Sequence, residues 1–371
     1  MKLRISSGAT LAGALLLSPL ATGADLSASM SEGNPDLKSI GPIAFGPEGI
    51  LFAADSQSAA IFALATGDTK GVQADTLKVD NLDDKIAALL GTSADQILVN
   101  DLAVNPASGT PYLAVSRGRG PDAKPVLLKV KSDGSLALVS LKKIKYSTTV
   151  LPNAPVSQAP GARQRGGNPR LESITDLTYV DGDLLVAGLS NEEFASTLRR
   201  IPFPFNKIDG GTSVEIFHGA HGKLETRSPV RTFTTFTIGN EPHILAAYTC
   251  TPLVQFPLKS LKAGAKIRGT TLAELGNRNR PLDMIVYQKG KESFLLIANN
   301  ARGVMKVTTK DISDIKGIKE RVERGKTAGL SYDTVEGWKG VVQLDAYNAE
   351  SAIVVQRGES SGLSLTTLPL P

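Results

Sequence analysis

Apolar and polar positions along this chain alternate in short runs rather than in helical periods. An apolar run of five or six residues breaks at Gly, Pro, Asn or Asp, resumes as a second run often ending in Ala, then breaks and resumes once more. Six segments carry this shape, starting near residues 41, 101, 176, 231, 283 and 342. "GPIAFGPEGILFAADSQSAAIFAL" and "LDMIVYQKGKESFLLIANNARGVMKV" are two of them. Short runs rich in β-branched and aromatic residues, bounded by turn formers, are strands joined in meanders. Setting aside an N-terminal leader leaves about 58 residues per unit, the size of a four-stranded propeller blade with its loops.

After each third strand comes a candidate fourth, such as "SLALVSLKKI", "TSVEIFHG" or "KIRGTTLAEL". The last unit ends at its third strand, which predicts that residues 25–40 supply the missing one. Such closure hides edges that would otherwise invite pairing with other chains. The expected fold is therefore all-β: a β-propeller of six blades, each of four antiparallel strands, closed by the N-terminal segment and forming one domain over 25–371. A seventh blade would require "RIPFPFNKIDGGTSVEIFHG" to be a unit of its own. A helix is expected only within "NLDDKIAALLG", residues 81–91.

Composition changes this picture little, but the N-terminus adds to it. Lys2 and Arg4 precede the apolar "LAGALLLSPLA" and the small residues "ATGA". This is the layout of a secretory signal over residues 1–24, with cleavage expected after Gly23 or Ala24. The apolar run is shorter than the roughly 20 residues a spanning helix needs. An exported protein, periplasmic or extracellular and without a transmembrane anchor, is the expectation. Loss of Lys2 and Arg4 lowers the formal charge from +5 to +3, and the remaining Lys and Arg are dispersed, which argues against a nucleic-acid partner. A single cysteine, Cys250, permits no internal disulfide, so the core alone must hold the fold. A monomer is expected.

The first unit carries a family resemblance. Pro42, Ile43, Ala44, Pro47, Gly49, Leu51, Ala54 and Asp55 follow the spacing of NHL-type and gluconolactonase/regucalcin-like six-bladed propellers, which this segment resembles over about 25 residues. The resemblance implies the propeller fold. In the gluconolactonase-like enzymes a Glu, an Asn and an Asp hold a divalent metal in the channel mouth. Here Glu48 falls in the first turn, at the wrong end for that role, so the metal set does not carry over.

Propeller geometry says where chemistry should gather. The first strand of each blade lines the channel, and the second returns to the face from which the first began. Strand-one entries place Asp101, Asp176 and Asp283 at that face, while strand-two exits place Asp55, Arg117, Asn191, Cys250, Asn300, Arg302 and Arg357 there. Loops and strand ends on a rigid scaffold are where function concentrates. Asp101, Asp176 and Asp283 admit two readings. Their side chains satisfy turn amides, as Asp before a strand commonly does, or they ligate a hard divalent cation such as Ca²⁺. Arg117, Arg302 and Arg357 would neutralise the carboxylates or grip an anionic ligand.

Other residues are weaker candidates. His218 and His221 in "FHGAHGK" are a candidate zinc or copper pair, but no Cys or carboxylate follows at metal-motif spacing, and an exposed loop is expected. Cys250 as a nucleophile would need His243, which belongs at the opposite end of the same strand; a small buried thiol fits better. The Pro- and Gly-rich stretch from 151 to 176 is a long loop overhanging the mouth, bringing Arg163, Arg165 and Arg170. The functional expectation is an exported propeller that binds a small ligand or a protein partner at Asp101, Asp176, Asp283, Asn300, Arg302, Arg117, Arg357 and Asn191. The alternatives are a metal-assisted hydrolase of lactonase or esterase type using some of Asp101, Asp176, Asp283 and Asn300, with Asp101, Asp176 and Asp283 as the metal ligands, and a periplasmic protein-interaction scaffold.

Overall fold

The computed structural model describes residues 25–157, 167–323, 325–358 and 362–371. The expected signal segment, Arg163 and Arg165 lie outside them. Six sheets form the six blades of a β-propeller. Their inner strands are Ile43–Phe45, Ile97–Val104, Asp176–Val180, Thr232–Ile238, Pro281–Lys289 and Val341–Ala346; the blades are numbered 1 to 6 in that order. Each inner strand pairs antiparallel with a second strand and that with a third, as the repeated pattern predicts.

Second strands are sandwiched between neighbouring blades, so they are apolar on both faces rather than alternating. Ile50–Asp55 is buried at every position. Near the axis the blades converge and leave room only for small side chains. Ala54, Ala114, Ala187, Ala247 and Ala298 fill those positions, all essentially inaccessible. The one α-helix among the described residues, Leu82–Leu90, buries Leu82 and Ile86 and ends at Gly91, which takes the left-handed conformation of a helix C-terminus (φ 63°). No helix among the described residues is long and apolar enough to cross a membrane.

Six apolar clusters, one in each gap between blades, hold the ring, and their membership fixes its order. One joins blades 1 and 2 through Leu51, Ala53, Ala103 and Tyr112. Another joins blades 1 and 3 through Phe52, Ala54, Leu177 and Val186. A third joins blades 2 and 6 through Leu102, Leu113, Ile353 and Val355. The remaining gaps lie between blades 3 and 4, 4 and 5, and 5 and 6. Around the ring the order is therefore 6–2–1–3–4–5, with the first two blades exchanged relative to the chain.

Closure consequently differs from the expectation. The fourth strand of blade 6 is Lys78–Val79, from the connection between blades 1 and 2, and not residues 25–40. The chain leaves blade 1 at Ala65, closes blade 6, and builds blade 2. It then returns as Ile144–Val150 to give blade 1 its fourth strand. The N-terminal strand Ser31–Gly33 pairs outside that one, at the edge of blade 1. Four strands per blade is also not uniform, since blades 1 and 4 have five and blade 3 has six, one of them (Lys266–Arg268) parallel to its neighbour.

Candidate functional site

Four carboxylates carried by the inner strands ring the channel. Each accepts backbone N–H groups, and one of those comes from the adjoining blade. Ile43 N–H donates to Asp101 Oδ2 (2.6 Å) and Phe233 N–H to Asp176 Oδ2 (2.7 Å). Leu344 N–H donates to Asp283 Oδ2 (2.8 Å) and Val104 N–H to Asp345 Oδ2 (2.7 Å). The other oxygen of Asp176, Asp283 and Asp345 takes the N–H of the next residue in its own strand, at 2.7 to 2.8 Å. Blades 1 and 4 carry Pro42 and Thr232 at the corresponding positions, opposite Ala54 and Ala247. The turn-amide reading of these Asp residues therefore describes their hydrogen bonding, extended across the blade gaps.

Below this girdle lies a cavity of about 590 Å³. Its lining runs from the four carboxylates along the inner strands to Asn105, Gly109 and Tyr347 near their far ends. The space thus continues inside the channel instead of spreading over the entry rim. Phe45, Phe233, Met284, Ile285 and Leu344 give it apolar walls; Gln73, Asn105, Thr178 and Thr234 are other polar groups. Among the described residues, no Lys, Arg or His lines it.

Enclosure by protein pushes all four carboxyls upward, against the pull of the amide hydrogen bonds. Asp176 rises to about 7 and Asp345 to about 6. Asp101 and Asp283 are driven well above the usual carboxylate range by burial, and further by the neighbouring carboxylates. By surface each is only half-buried, because one side looks into the cavity. An ionised carboxylate offers about four lone-pair directions, so two amides leave capacity for a ligand that donates hydrogen bonds or carries positive charge.

The rim residues do not join this group. Asn300 Oδ1 accepts from Arg280 N–H (2.8 Å). The Arg302 guanidinium donates to Asn277 O (3.1 Å) and packs on Gly276. Arg117 donates to Gly91 O (3.2 Å) at the helix C-terminus, where positive charge is favourable. Asn191 lies in an exposed turn, its N–H bonded to Asn153 O (2.6 Å). Arg357 is exposed, its N–H bonded to Gly340 O (2.8 Å). None of the five lines the cavity, because strand-two exits stand one strand further from the axis. Asp55 serves the fold instead. Buried, it accepts from Lys38 N–H (2.8 Å) and from Ser39 N–H and Oγ–H (3.1 and 2.6 Å). It ties the N-terminal segment to blade 1. Glu48 lies in the turn at the opposite end and accepts from Leu26 N–H (3.1 Å). Arg170 sits in a short turn beside Glu172, which pairs with Arg231 (2.6 Å).

Sequence reasoning missed Asp345. Its signal is an Asp followed by an apolar residue within an inner strand, as in "NDLAV", "TDLTY" and "LDMIV", and "LDAYN" repeats it.

No protein-family model matches the sequence, and no curated protein matches it. Solved structures similar to it include the soluble aldose sugar dehydrogenase of Escherichia coli in the apo-form. The identity is 10%, covering 92% of this chain and 99% of that one, with a TM-score of 0.34. The PQQ-bound aldose sugar dehydrogenase of Streptomyces coelicolor gives 8%, 91%, 96% and 0.31. The WD40 β-propeller domain of Doa1 gives 9%, 91%, 95% and 0.32. Likenesses this distant carry no argument about function.

Proposed function

We infer that the chain is an exported β-propeller whose channel binds a small ligand bearing an amine or another cationic, hydrogen-bond-donating group. One observation carries this reading: Asp101, Asp176, Asp283 and Asp345 surround a cavity that no cationic residue lines among those described. Burial holds Asp101 and Asp283 well above the usual carboxylate range and Asp176 near 7, so near neutral pH the ring still carries protons that a counter-charge can displace. A bound ammonium restores the charged form by Coulomb attraction in a medium less polar than water, so binding releases protons. The apolar walls contributed by Phe45, Phe233 and Met284 suit a hydrocarbon body attached to that head group. Export is supported by the signal-like layout of residues 1–24.

The test is calorimetric titration of the purified chain with simple alkyl monoamines, diamines and uncharged polyols near pH 7. Amine binding with proton release, read from the dependence of the heat on buffer ionisation enthalpy, is expected. Asp176→Asn should weaken it at least roughly tenfold by removing one ionisable partner. Binding by polyols alone, or amine binding indifferent to Asp176→Asn, would reject the reading.

A further inference from the structure

Away from the channel, where blades 3 and 4 meet, the described residues contain one close group of metal-binding side chains. A ring nitrogen of His218, a ring nitrogen of His221 and Cys250 Sγ lie within 4.8 Å of one another. His218 ends the outer strand Thr212–His218 of blade 3, and Cys250 stands in the turn after the second strand of blade 4. The expectation of an exposed loop does not hold for His218, which is 2% exposed. The carboxylate absent from the spacing argument is Glu225, brought back by a tight turn and a short strand.

Glu225 sets the orientation of both rings. Its Oε2 meets His218 Nδ1 at 3.0 Å and its Oε1 meets His221 Nδ1 at 2.6 Å, while Ser228 Oγ–H donates to Oε2 (2.6 Å). A carboxylate facing both Nδ1 atoms accepts from each ring there and turns the two Nε2 atoms away from Glu225. This is the carboxylate–histidine arrangement that prepares imidazole for a metal. His218 Nε2 is buried and has no hydrogen-bond partner, an orphan that a buried polar atom rarely remains without reason.

Two further features border this group. Glu274, 1% exposed and from the outer strand of blade 4, accepts Gly219 N–H at Oε1 (2.5 Å), leaving a buried Oε2 with no partner. Cys250 and Thr251 are consecutive non-glycine residues in the left-handed region, at φ 65° and 58°, a costly conformation for a β-branched Thr. They are held there by Cys250 N–H to Asn279 O (2.7 Å) and Thr251 Oγ1–H to Gly276 O (2.7 Å). Strain retained in this way is characteristic of sites that must present a particular group; here the turn carries the thiol to the imidazoles.

We propose that His218, His221 and Cys250 bind a transition-metal cation of the Zn²⁺ class, with Glu225 orienting the two imidazoles. Two imidazoles and a thiolate form a borderline-soft set that selects Zn²⁺ over Ca²⁺ or Mg²⁺. The ion pins blade 3 to blade 4 at the strand-two exit face and employs the chain's single cysteine as a ligand.

The experiment uses the full purified chain, stripped with chelator and reloaded with Zn²⁺ or with Co²⁺ as a spectroscopic probe. One ion per chain should be retained on gel filtration, with Co²⁺ giving a thiolate charge-transfer band and Zn²⁺ protecting Cys250 from alkylation. Cys250→Ser should abolish the band, and His221→Ala should weaken Zn²⁺ binding at least roughly tenfold. The His221 ring is half exposed, so its removal leaves a folded chain, checked by circular dichroism. Glu225→Gln should cost roughly 10–100-fold in affinity. Absence of a thiolate band in the wild type, or equal Zn²⁺ retention by wild type, Cys250→Ser and His221→Ala, would overturn the proposal.

Discussion

Asp345 Oδ2 accepts the backbone N–H of Val104 across 2.7 Å, joining residues 241 positions apart in sequence. This bond spans the gap between the last blade and the second, the pair that the exchanged ring order makes neighbours. It belongs to a set in which each channel carboxylate reaches into the next blade, so the girdle fastens four of the six gaps in the ring.

Removing that fastener should show in stability. Asp345→Ala strips the partner from two backbone donors, Val104 N–H and Ala346 N–H. Hydrogen bonds to charged groups contribute about 1.5–3 kcal/mol, and an unsatisfied buried donor costs about 1–3 kcal/mol. The expected loss is about 2–4 kcal/mol in urea unfolding, reduced if channel water solvates the freed amides. A midpoint unchanged within error would show that the girdle does not hold the ring.

The same carboxyls set a pH dependence with a definite sign. Asp176 rises to about 7 in the folded state, against about 3.9 unfolded. Between those values the folded chain binds more protons than the unfolded chain, so stability falls as pH rises. The contribution is fully present below about pH 4 and is gone above about pH 7. Asp345, near 6, acts in the same sense over a shorter span. Asp176→Asn mimics the neutral form at every pH. Relative to this variant, wild-type stability should decline from about pH 4 to pH 7 and then level off, as followed by thermal unfolding in matched buffers.

Legibility in the sequence followed physical range. The apolar runs and turn formers report local pairing, so all six blades and the helix at Leu82–Leu90 were readable. Blade order was not, because inner strands such as Ile43–Phe45 and Ile97–Val104 carry similar patterns that would pack in either position. The exchange depends on where Lys78–Val79 and Ile144–Val150 dock, and short edge strands carry little pattern of their own. Asp101, Asp176 and Asp283 were recognised from their place before a strand. Their donors, such as Phe233 N–H, come from another blade and leave no trace in spacing. The gathering of His218, His221 and Cys250 was hidden for the same reason: the thiol arrives from the neighbouring blade.

The closing role of the segment around Lys78–Val79 is the last test. Leu77 is buried in the cluster between blades 2 and 6, and its N–H and C=O pair with Thr367 of the third strand of blade 6. Leu77→Ala should destabilise the chain by about 2–5 kcal/mol, the usual range for a buried Leu truncation. Glu32 lies exposed on the edge strand Ser31–Gly33, and its replacement by Ala should stay within about 0.5 kcal/mol. If the N-terminal strand closed the ring instead, insertion of Pro at Glu32 would unfold the protein as readily as Leu77→Ala. Because Glu32 pairs only with Lys145 at the rim of blade 1, Glu32→Pro should fray that edge and leave the main unfolding transition in place. Urea denaturation followed by tryptophan fluorescence reads this directly, since Trp338 is buried between blades 5 and 6, remote from the frayed edge.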